Sequence, residues 1–505
     1  MLRPAFIPSA PVKILINLGA GLDIPTGTYV KGRRGESILN GGLGNLTGVV
    51  GIGNNFKSTL LHYMKLRAMG RMKGSFGNTY DTEINIHETH LMMLANRIDE
   101  LMGEMVFETG RWVITSRIEH PGDEWYDILR DFLIEKAKDK KFDVATPFMN
   151  RDKGNLVIKL PTFSQVDSLS EFMTSAEMKM QDENKLGEAG ANMISMNQGR
   201  QKNRFLMEIP GLAGAAYNYM LMTAHIGSEF NMDPRNPAPK KLQYLKGGVK
   251  LKGVPEKFTF SMNNCWQCYN AAPLRNESTK APEYPRDSDD DLKGDTDLSE
   301  VTVTQLRSKS GPTGMSMKMI VSQHDGVLPS LTEFHNIKTS ERFGIEGSLQ
   351  NYFLSLMPDV KLSRTTVRRK LDENAALRRA VNISSEMCQM TQLWHHLDDG
   401  TLCTPKELYD DLKAMGYDWD ILLNTREWWC LLDDEENQLP FLSTMDLLLM
   451  RQGKYHPFWL AEDKKTILAG NSLSTATTSA KELANKVMAK AMKTAYVEVE
   501  QAVVA

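Results

Sequence analysis

The sequence predicts an α/β fold with a mostly parallel, twisted β-sheet, followed by a mainly helical C-terminal domain. The apolar pair Val49-Val50 leads into a glycine-rich turn that opens a helical pattern, the order expected for a strand, a loop and a crossover helix. Short apolar runs then alternate with helical patterns as far as residue 340. After about residue 345 the strand pattern stops and helical periodicity continues, which predicts a separate domain.

The composition sets the class of protein. At 41% hydrophobic and 24% charged, the 505 residues are ordinary for a protein with a large core. The net charge of −3 means that any surface for nucleic acid must be local. Five cysteines without regular spacing suit a reducing compartment. Prolines break the N-terminal segment and no apolar run approaches a membrane span, so the expected location is cytoplasmic, inside the host cell for a viral protein, with no membrane partner.

The pattern divides the chain into four segments. They are an extended lead-in (1–35), the α/β core (36–340), the helical C-terminal domain (345–460) and a flexible tail with one helical pattern (461–505). Within the helical domain, four tryptophans are expected to be core residues: Trp394, Trp419, Trp428 and Trp429.

The core elements are predicted in order along the chain. Strands are expected at 77–84, at 112–118, in the run of 155–172 that reaches Asp167, and at 217–230. The segment 123–141 has an acidic start and a basic end, which is typical of an amphipathic helix. The segment 301–327 is predicted as a hairpin around Gly311-Pro312.

The stretch 48–59, GVVGIGNNFKST, has the composition of a phosphate cradle. Backbone N–H groups at a helix N-terminus hold phosphate, a lysine ammonium reaches its outer oxygens and a hydroxyl binds Mg²⁺. The spacing is that of a P-loop, G-x4-G-K-[ST], except that Phe56 replaces the second glycine and its Cβ narrows the allowed dihedral angles. A chance match on a glycine-rich turn is the alternative. The predicted nucleotide-binding residues are Gly51, Gly53, Asn54, Asn55, Phe56, Lys57, Ser58 and Thr59.

Two carboxylates are expected beside Lys57. Glu83 ends the strand after the P-loop helix, and Asp167 follows a strand-like run. Because the carboxyl ends of parallel strands face one edge of a sheet, the three side chains can converge there. ATP hydrolysis needs one carboxylate for the Mg²⁺ shell, a role that suits Asp167 together with Ser58, and a second to orient the attacking water. Either acid alone is as easily an ordinary loop or helix-start residue.

Two cationic segments predict a surface for single-stranded DNA. Loops that combine cations with large side chains suit a phosphate backbone and base stacking, although an ordinary solvated lysine face is the alternative for each loop alone. In the segment that follows His225, the candidates are Phe230, Arg235, Lys240, Lys241 and Lys246. A second loop, predicted at about 180–204, contributes Lys185, Arg200, Lys202 and Arg204.

Other charged or metal-like patterns receive weaker interpretations. The acidic stretch 282–297 is predicted as a solvated loop. The basic stretch 362–381 is a helix or helix pair that either guides duplex DNA or forms a solvated face. Cys265 and Cys268 form a CxxC without a second paired motif at ligand spacing, so buried cysteines are favoured over zinc ligands.

Taken together, these residues resemble the RecA-type recombinase family, most closely its phage members. The points of likeness within residues 38–327 are GIGNNFKS, YDTE, PTFSQVDSLSEF, LMTAHI with His225, and the late hairpin with Arg307 and Lys309. The resemblance implies a RecA-like P-loop ATPase core. It further implies that Glu83 is the catalytic base, that Asp167 is the Walker B carboxylate, and that Lys57, Ser58 and Thr59 bind phosphates and Mg²⁺.

The same resemblance implies how ATP and DNA are connected. His225 would sense the γ-phosphate and pass its state to a DNA-binding loop, while Arg307 and Lys309 would reach the ATP of a neighbouring subunit. The activity implied is ATP-dependent homologous pairing and strand exchange by a helical filament of identical subunits on single-stranded DNA, with duplex DNA as the second partner. A hexameric replicative helicase with the same core fold and an ATP-gated structural DNA-scaffolding protein are the alternatives.

Overall fold

The computed structural model describes residues 13–183, 191–228, 244–245, 249–294, 296–398 and 400–461. The strands in these ranges are β1 Thr28–Lys31, β2 Ser37–Asn40, β3 Leu46–Gly51, β4 Phe76–Asp81, β5 Trp112–Ser116, β6 Asp143–Met149, β7 Asn155–Lys159, β8 Thr162–Asp167, β9 Asn218–Ser228, β10 Val249–Lys252, β11 Asn264–Pro273, β12 Leu298–Ser308, β13 Ser316–Ser322, β14 Gly326–Val327, β15 Ile345–Gly347, β16 Tyr352–Leu354 and β17 Met357–Leu362. The helices are α1 Lys57–Arg71, α2 Glu88–Ala95, α3 Gly122–Lys138, α4 Ser175–Glu183, α5 Ala191–Ala216, α6 Lys257–Ser261, α7 Ser288–Lys293, α8 Pro329–Thr339, α9 Val367–Glu373, α10 Ala375–Leu393, α11 Pro405–Ala414, α12 Trp419–Leu423 and α13 Thr444–Arg451.

A ten-stranded sheet organises the described part of the chain, in the order β14-β13-β12-β11-β3-β9-β8-β4-β5 with β10 paired to β9. From β11 to β5 every neighbouring pair is parallel. The pairs from β11 to β14 are antiparallel, as is β10 on β9. The prediction of an α/β fold with a large, mostly parallel sheet is therefore confirmed, and the hairpin predicted at 301–327 is β12–β13.

The central strands are covered on both faces. Every residue of β3 and β8 is buried, as expected for parallel strands that have helices on each side. Helix α1 packs on one face, with Leu60, Leu61 and Met64 in a large apolar cluster. Helices α3 and α5 pack together on the opposite face, through residues such as Leu133 and Ile209. Because the strands from β11 to β5 are parallel, their carboxyl ends lie along a single edge of the sheet.

The described part of the predicted lead-in lies within the core. Ile14, Ile16 and Leu18 belong to the same apolar cluster as helix α1. Two buried tyrosines bind its backbone, since the Tyr219 hydroxyl donates to Ile14 O at 3.0 Å and the Tyr63 hydroxyl donates to Leu18 O at 2.7 Å. The backbone at 14–18 is therefore held by side chains of the sheet and of helix α1.

The expectation that strands stop after residue 345 is wrong. β15, β16 and β17 form a three-stranded antiparallel sheet at 345–362, before the helical region begins with α9. β15 and β16 have only three residues each, which gives a single alternation of side chains and is too little for a periodicity signal. The four tryptophans predicted as core residues are all buried. The basic stretch 362–381 is a helix pair, α9 and α10.

The predicted loop at 180–204 is also wrong for its described residues. Helix α5 begins at Ala191, so Arg200, Lys202 and Arg204 lie on a helix that packs against α3. A long helix with an irregular apolar face gives a weak periodic signal, and the glycine and polar residues near its start suggested a loop. None of the helices within the described ranges is both long and apolar enough to span a bilayer.

Candidate functional site

The turn between β3 and α1 places Lys57 at a helix N-terminus. Its ammonium donates to Ile52 O at 2.8 Å. Burial lowers the pKa of Lys57, while the nearby carboxylates of Asp167 and Glu83 act to raise it. A Cβ on Gly51 would lie 2.6 Å from Cys268 O, so only glycine fits where the strand ends. The structure therefore brings Lys57 and both predicted carboxylates to the same edge of the sheet.

Phe56 adopts the backbone conformation that a glycine would adopt more easily. It caps α1 with φ +57° and ψ +27°, in the left-handed region. Its ring is half-buried and packs against the apolar cluster beneath α1. By contrast, a Cβ on Gly53 would meet no atom within 4 Å, so that position has no steric requirement for glycine. The substitution seen in the sequence is thus accommodated with backbone strain at one residue.

We expect Phe56→Gly to be more stable than Phe56→Ala by about 1 kcal/mol, because both changes remove the ring and only alanine keeps the left-handed strain. Urea unfolding of the two variants measures this difference directly. Equal stabilities, or a more stable alanine variant, would show that the backbone at residue 56 carries no strain.

Asp167 ends β8 with one satisfied and one orphaned oxygen. Its Oδ1 accepts a hydrogen bond of 2.5 Å from the Thr223 hydroxyl, and Ser58 also donates to the carboxylate. Burial raises the pKa of Asp167, and these two hydrogen bonds act to lower it. The buried Oδ2 has no hydrogen-bond partner among the described residues. A buried carboxylate oxygen beside a serine hydroxyl and a lysine fits a Mg²⁺–triphosphate group, for which Asp167 and Ser58 would face the metal.

Glu83 is held by a turn that Asp81 organises. Asp81 Oδ1 accepts from the backbone N–H groups of Glu83 and Ile84, and Oδ2 accepts from those of Asn85 and Ile86. The turn passes through the left-handed region at Ile84, with φ +56°. Asp81 is not among the residues predicted from the sequence, although an aspartate at the end of a strand is a known turn former.

The carboxylate of Glu83 is bound at both oxygens. Oε1 lies 3.1 Å from His225 Nε2, and Oε2 accepts from the Asn85 side-chain amide at 3.0 Å. A hydrogen on Nε2 makes His225 the donor in this pair. The predicted catalytic base and the predicted γ-phosphate sensor are therefore in direct contact.

Hydrogen bonds also connect the backbone of His225, through Ser170, to Lys252 at the far end of the cationic segment. The backbone N–H of His225 donates to the Ser170 hydroxyl at 3.0 Å, and that hydroxyl donates to Lys252 O at 2.8 Å. Residues 225 and 252 are partners in the β9–β10 pair. The two ends of the predicted DNA segment therefore meet beside Glu83.

Several predicted DNA-binding residues lie outside the described residues: Lys185, Phe230, Arg235, Lys240, Lys241 and Lys246. Of the described ones, Arg200 is exposed, and Arg204 is exposed and pairs with Glu208 at 3.0 Å on the same helix. No finding tests these six DNA contacts or those of Arg200 and Arg204, which stay predictions.

The prediction that Lys202 contacts DNA is wrong, because its side chain is buried. It is 3% exposed, and its ammonium donates to Ser170 O at 2.6 Å and to Gly253 O at 2.9 Å. Burial lowers its pKa to about 8. The charge of a lysine is evident from the sequence, but the direction of its side chain depends on the fold. The contacts make Lys202 a link between α5, the Ser170 turn and the end of β10.

We expect Lys202→Met to lower the free energy of unfolding by about 2–3 kcal/mol, because it leaves two carbonyl groups without a charged donor. The matched change Arg204→Met removes only an exposed ion pair and should leave the free energy of unfolding almost unchanged. Urea unfolding measures both. If Lys202→Met kept full stability and weakened DNA binding with a shallower salt dependence, Lys202 would be a DNA contact after all.

Arg307 and Lys309 lie away from Lys57 within one chain. β12 runs antiparallel to β11, and Arg307 is the partner of Cys265, which is in turn the partner of Gly48 in β3. Lys309 follows the end of β12, where its backbone N–H donates to Asn263 O at 2.9 Å. Both cations therefore lie toward the amino end of β3, whereas the turn that leads to Lys57 follows its carboxyl end.

Cys265 and Cys268 are buried, free thiols within β11. Burial raises the pKa of each to about 12. Among the described residues, no group of three or more His, Cys, Asp or Glu side chains is placed to hold a metal ion. The prediction that both cysteines are buried in a strand is confirmed.

No protein-family model matches this chain, and a search of curated proteins finds none that matches.

Proposed function

We propose that this protein is an ATP-dependent DNA recombinase with a RecA-like core, which polymerises on single-stranded DNA and exchanges strands with duplex DNA. The observation that carries the proposal is the meeting of Lys57, Ser58, Glu83, Asp167 and His225 at the carboxyl edge of one parallel sheet. This set contains a phosphate-binding cation, a metal-facing pair, a carboxylate for water and a histidine in contact with that carboxylate.

The chain's own groups account for the hydrolytic step. Bound MgATP supplies the reactive phosphoanhydride bond and the charge of the metal. Lys57 and the N–H groups at the start of α1 hold the phosphates, because a helix N-terminus favours anions. Ser58 and Asp167 would hold the Mg²⁺ ion. Glu83 orients the attacking water and accepts its proton, a role that requires its carboxylate to leave or share the hydrogen bond with His225.

The contacts that connect His225 to the cationic segment support coupling between ATP hydrolysis and DNA binding. A change in the Glu83–His225 contact alters the backbone position of residue 225, which is bound to Ser170 and paired with Lys252. Lys202 fixes the same Ser170 turn from the side of α5. The segments that bear the predicted DNA contacts therefore begin at the groups that would respond to the γ-phosphate.

The position of Arg307 and Lys309 supports action between subunits. Cations at the amino end of the strands are unable to reach the P-loop of their own chain, and a head-to-tail assembly would bring them to the next one. Such heterologous contacts produce open helical filaments or closed rings, so the helicase alternative shares this feature.

A strand-exchange assay with and without ATP tests the proposal. We expect joint molecules with homologous duplex DNA only when ATP is present, and helical filaments in electron micrographs with an ATP analogue and single-stranded DNA. Closed rings with unwinding activity would instead support the helicase, and assembly without exchange would support a scaffolding protein.

Charge reversal of Lys240 and Lys241 should weaken single-stranded DNA binding and reduce its salt dependence.

A further inference from the structure

The carboxylate of Glu83 is held between two side chains that come from different parts of the sheet edge. His225 Nε2 lies 3.1 Å from its Oε1, and the side-chain amide of Asn85 donates to its Oε2 at 3.0 Å. The Glu83 side chain is 32% exposed, and Asn85 is exposed as well. Water can therefore reach this carboxylate, but two neighbouring side chains set its direction.

The backbone of the turn that carries Glu83 and Asn85 is fixed. Asp81 accepts hydrogen bonds from the N–H groups of both residues, at 3.1 and 2.9 Å. Between them and Asp81 lies the buried Thr82, whose N–H donates to Asp167 O at 2.9 Å. Because the ends of β4 and β8 hold the turn, the Glu83 carboxylate can change position only if its side chain rotates. Such a rotation breaks at least one of its two side-chain hydrogen bonds.

The two partners of Glu83 are anchored in different ways. Asn85 belongs to the fixed turn itself. His225 lies in β9, and its backbone connects through the Ser170 hydroxyl to Lys252, at the far end of the cationic segment. A displacement of that segment would move His225 and leave Asn85 in place. One of the two hydrogen bonds can therefore respond to DNA, whereas the other is independent of the segment.

These hydrogen bonds affect what Glu83 can do chemically. A general base must direct a lone pair at the water that it activates. While both oxygens accept hydrogen bonds from side chains, the carboxylate is oriented toward those donors. The net free energy of one such hydrogen bond changes an equilibrium by roughly 2–12-fold. Loss of one donor should therefore raise the fraction of Glu83 that is free to face water.

We propose that Asn85 is a positioning residue that, together with His225, restrains Glu83 and keeps ATP hydrolysis slow until DNA is bound. The inference rests on the proposed ATPase function and concerns the regulation of that same site. DNA on the cationic segment displaces His225, and the remaining contact with Asn85 is too weak to prevent rotation of the Glu83 side chain. Asn85 thus sets the rate without DNA and has little influence on the rate with DNA.

The test compares Asn85→Ala with the unmodified full chain in steady-state ATPase assays, with and without saturating single-stranded DNA. We expect kcat without DNA to rise about threefold to tenfold, because one of the two restraints on Glu83 is removed. KM for ATP and kcat with DNA should each change less than about twofold. Urea unfolding should be unchanged, because the Asn85 side chain is exposed.

Two further variants show whether the effect passes through Glu83. His87→Ala changes an exposed side chain two positions further along, which makes no capping hydrogen bond to α2, and both rates should stay unchanged. In the background Glu83→Gln, adding Asn85→Ala should not raise the residual rate without DNA.

An unchanged kcat without DNA in Asn85→Ala would overturn the inference. A lower kcat would also overturn it, and would show that Asn85 holds Glu83 in the productive orientation. In both cases the unmodified protein still hydrolyses ATP and the proposed function stands. If the unmodified protein hydrolyses no ATP with or without DNA, the proposed function fails together with the inference.

Discussion

Changing Glu83 to glutamine should lower kcat for DNA-stimulated ATP hydrolysis by about 10²–10⁴-fold, the range that a positioned general base contributes. Glutamine has nearly the same shape and keeps an oxygen that can accept from His225 Nε2. It is unable to accept a proton from water. Nucleotide affinity should stay within about threefold, because Lys57, Ser58 and the N–H groups of α1 are unchanged.

Steady-state kinetics with saturating single-stranded DNA, together with equilibrium binding of a fluorescent ATP analogue, measures the two quantities separately. Glu88→Gln is the matched control, since Glu88 is an exposed acid at the start of α2, five positions further along the chain. Full ATPase activity in Glu83→Gln would remove Glu83 from the role of base. Loss of nucleotide binding in that variant would show that Glu83 contributes to binding of the nucleotide and not to the hydrolytic step.

The edge of the sheet at which these residues meet could be predicted from the sequence. A P-loop pattern fixes the end of one strand and the start of one helix, and parallel strands align their carboxyl ends by geometry. Glu83 and Asp167 therefore needed only a strand assignment to be placed beside Lys57. The prediction depended on local periodicity and on one chemical motif, both of which are encoded within a few residues.

Contacts between distant segments could not be predicted in this way. The acidic stretch 282–297, expected to be a solvated loop, is anchored in the structure. Asp297 binds Arg368 at 2.8 Å and Asp291 binds Arg364 at 2.8 Å, both in the basic stretch 362–381. Burial acts to raise the pKa of Asp297, but the hydrogen bonds from Arg368 and Arg286, together with the charge of Arg368, hold it well below its usual range. Each stretch alone is typical of a solvated surface. Only the ion pairs between them show that both are anchored.

The residues that hold the candidate site in place were equally difficult to predict from the sequence. Asp81 acts through four backbone N–H groups, and Lys202 acts through two carbonyl groups. Backbone partners leave no pattern of residue types in the sequence. Residues whose chemistry is directed at a ligand were therefore easier to find than residues that hold those side chains in place.

Trp429→Ala should produce the largest loss of stability, about 3–5 kcal/mol, which is typical for truncating a buried tryptophan. The side chain is 1% exposed, and its ring packs edge-on against Phe148 at a centroid distance of 5.1 Å. Its Nε1 donates to Leu15 O at 3.0 Å, so the change also leaves a buried carbonyl unpaired. Trp429 belongs to the apolar cluster of helix α1, although it lies more than 350 residues further along the chain.

This placement makes the variant a test of whether the C-terminal region and the α/β core unfold together. Trp419→Ala is the control, because Trp419 is similarly buried and donates to Leu356 O at 2.7 Å, but belongs to the other large cluster. Urea unfolding should be followed both by circular dichroism and by loss of nucleotide binding. We expect Trp429→Ala to shift the nucleotide-binding transition by the full 3–5 kcal/mol. If only the dichroism transition moved, and nucleotide binding was lost at the urea concentration of the unmodified protein, Trp429 would stabilise the C-terminal region alone, and the core would fold without it.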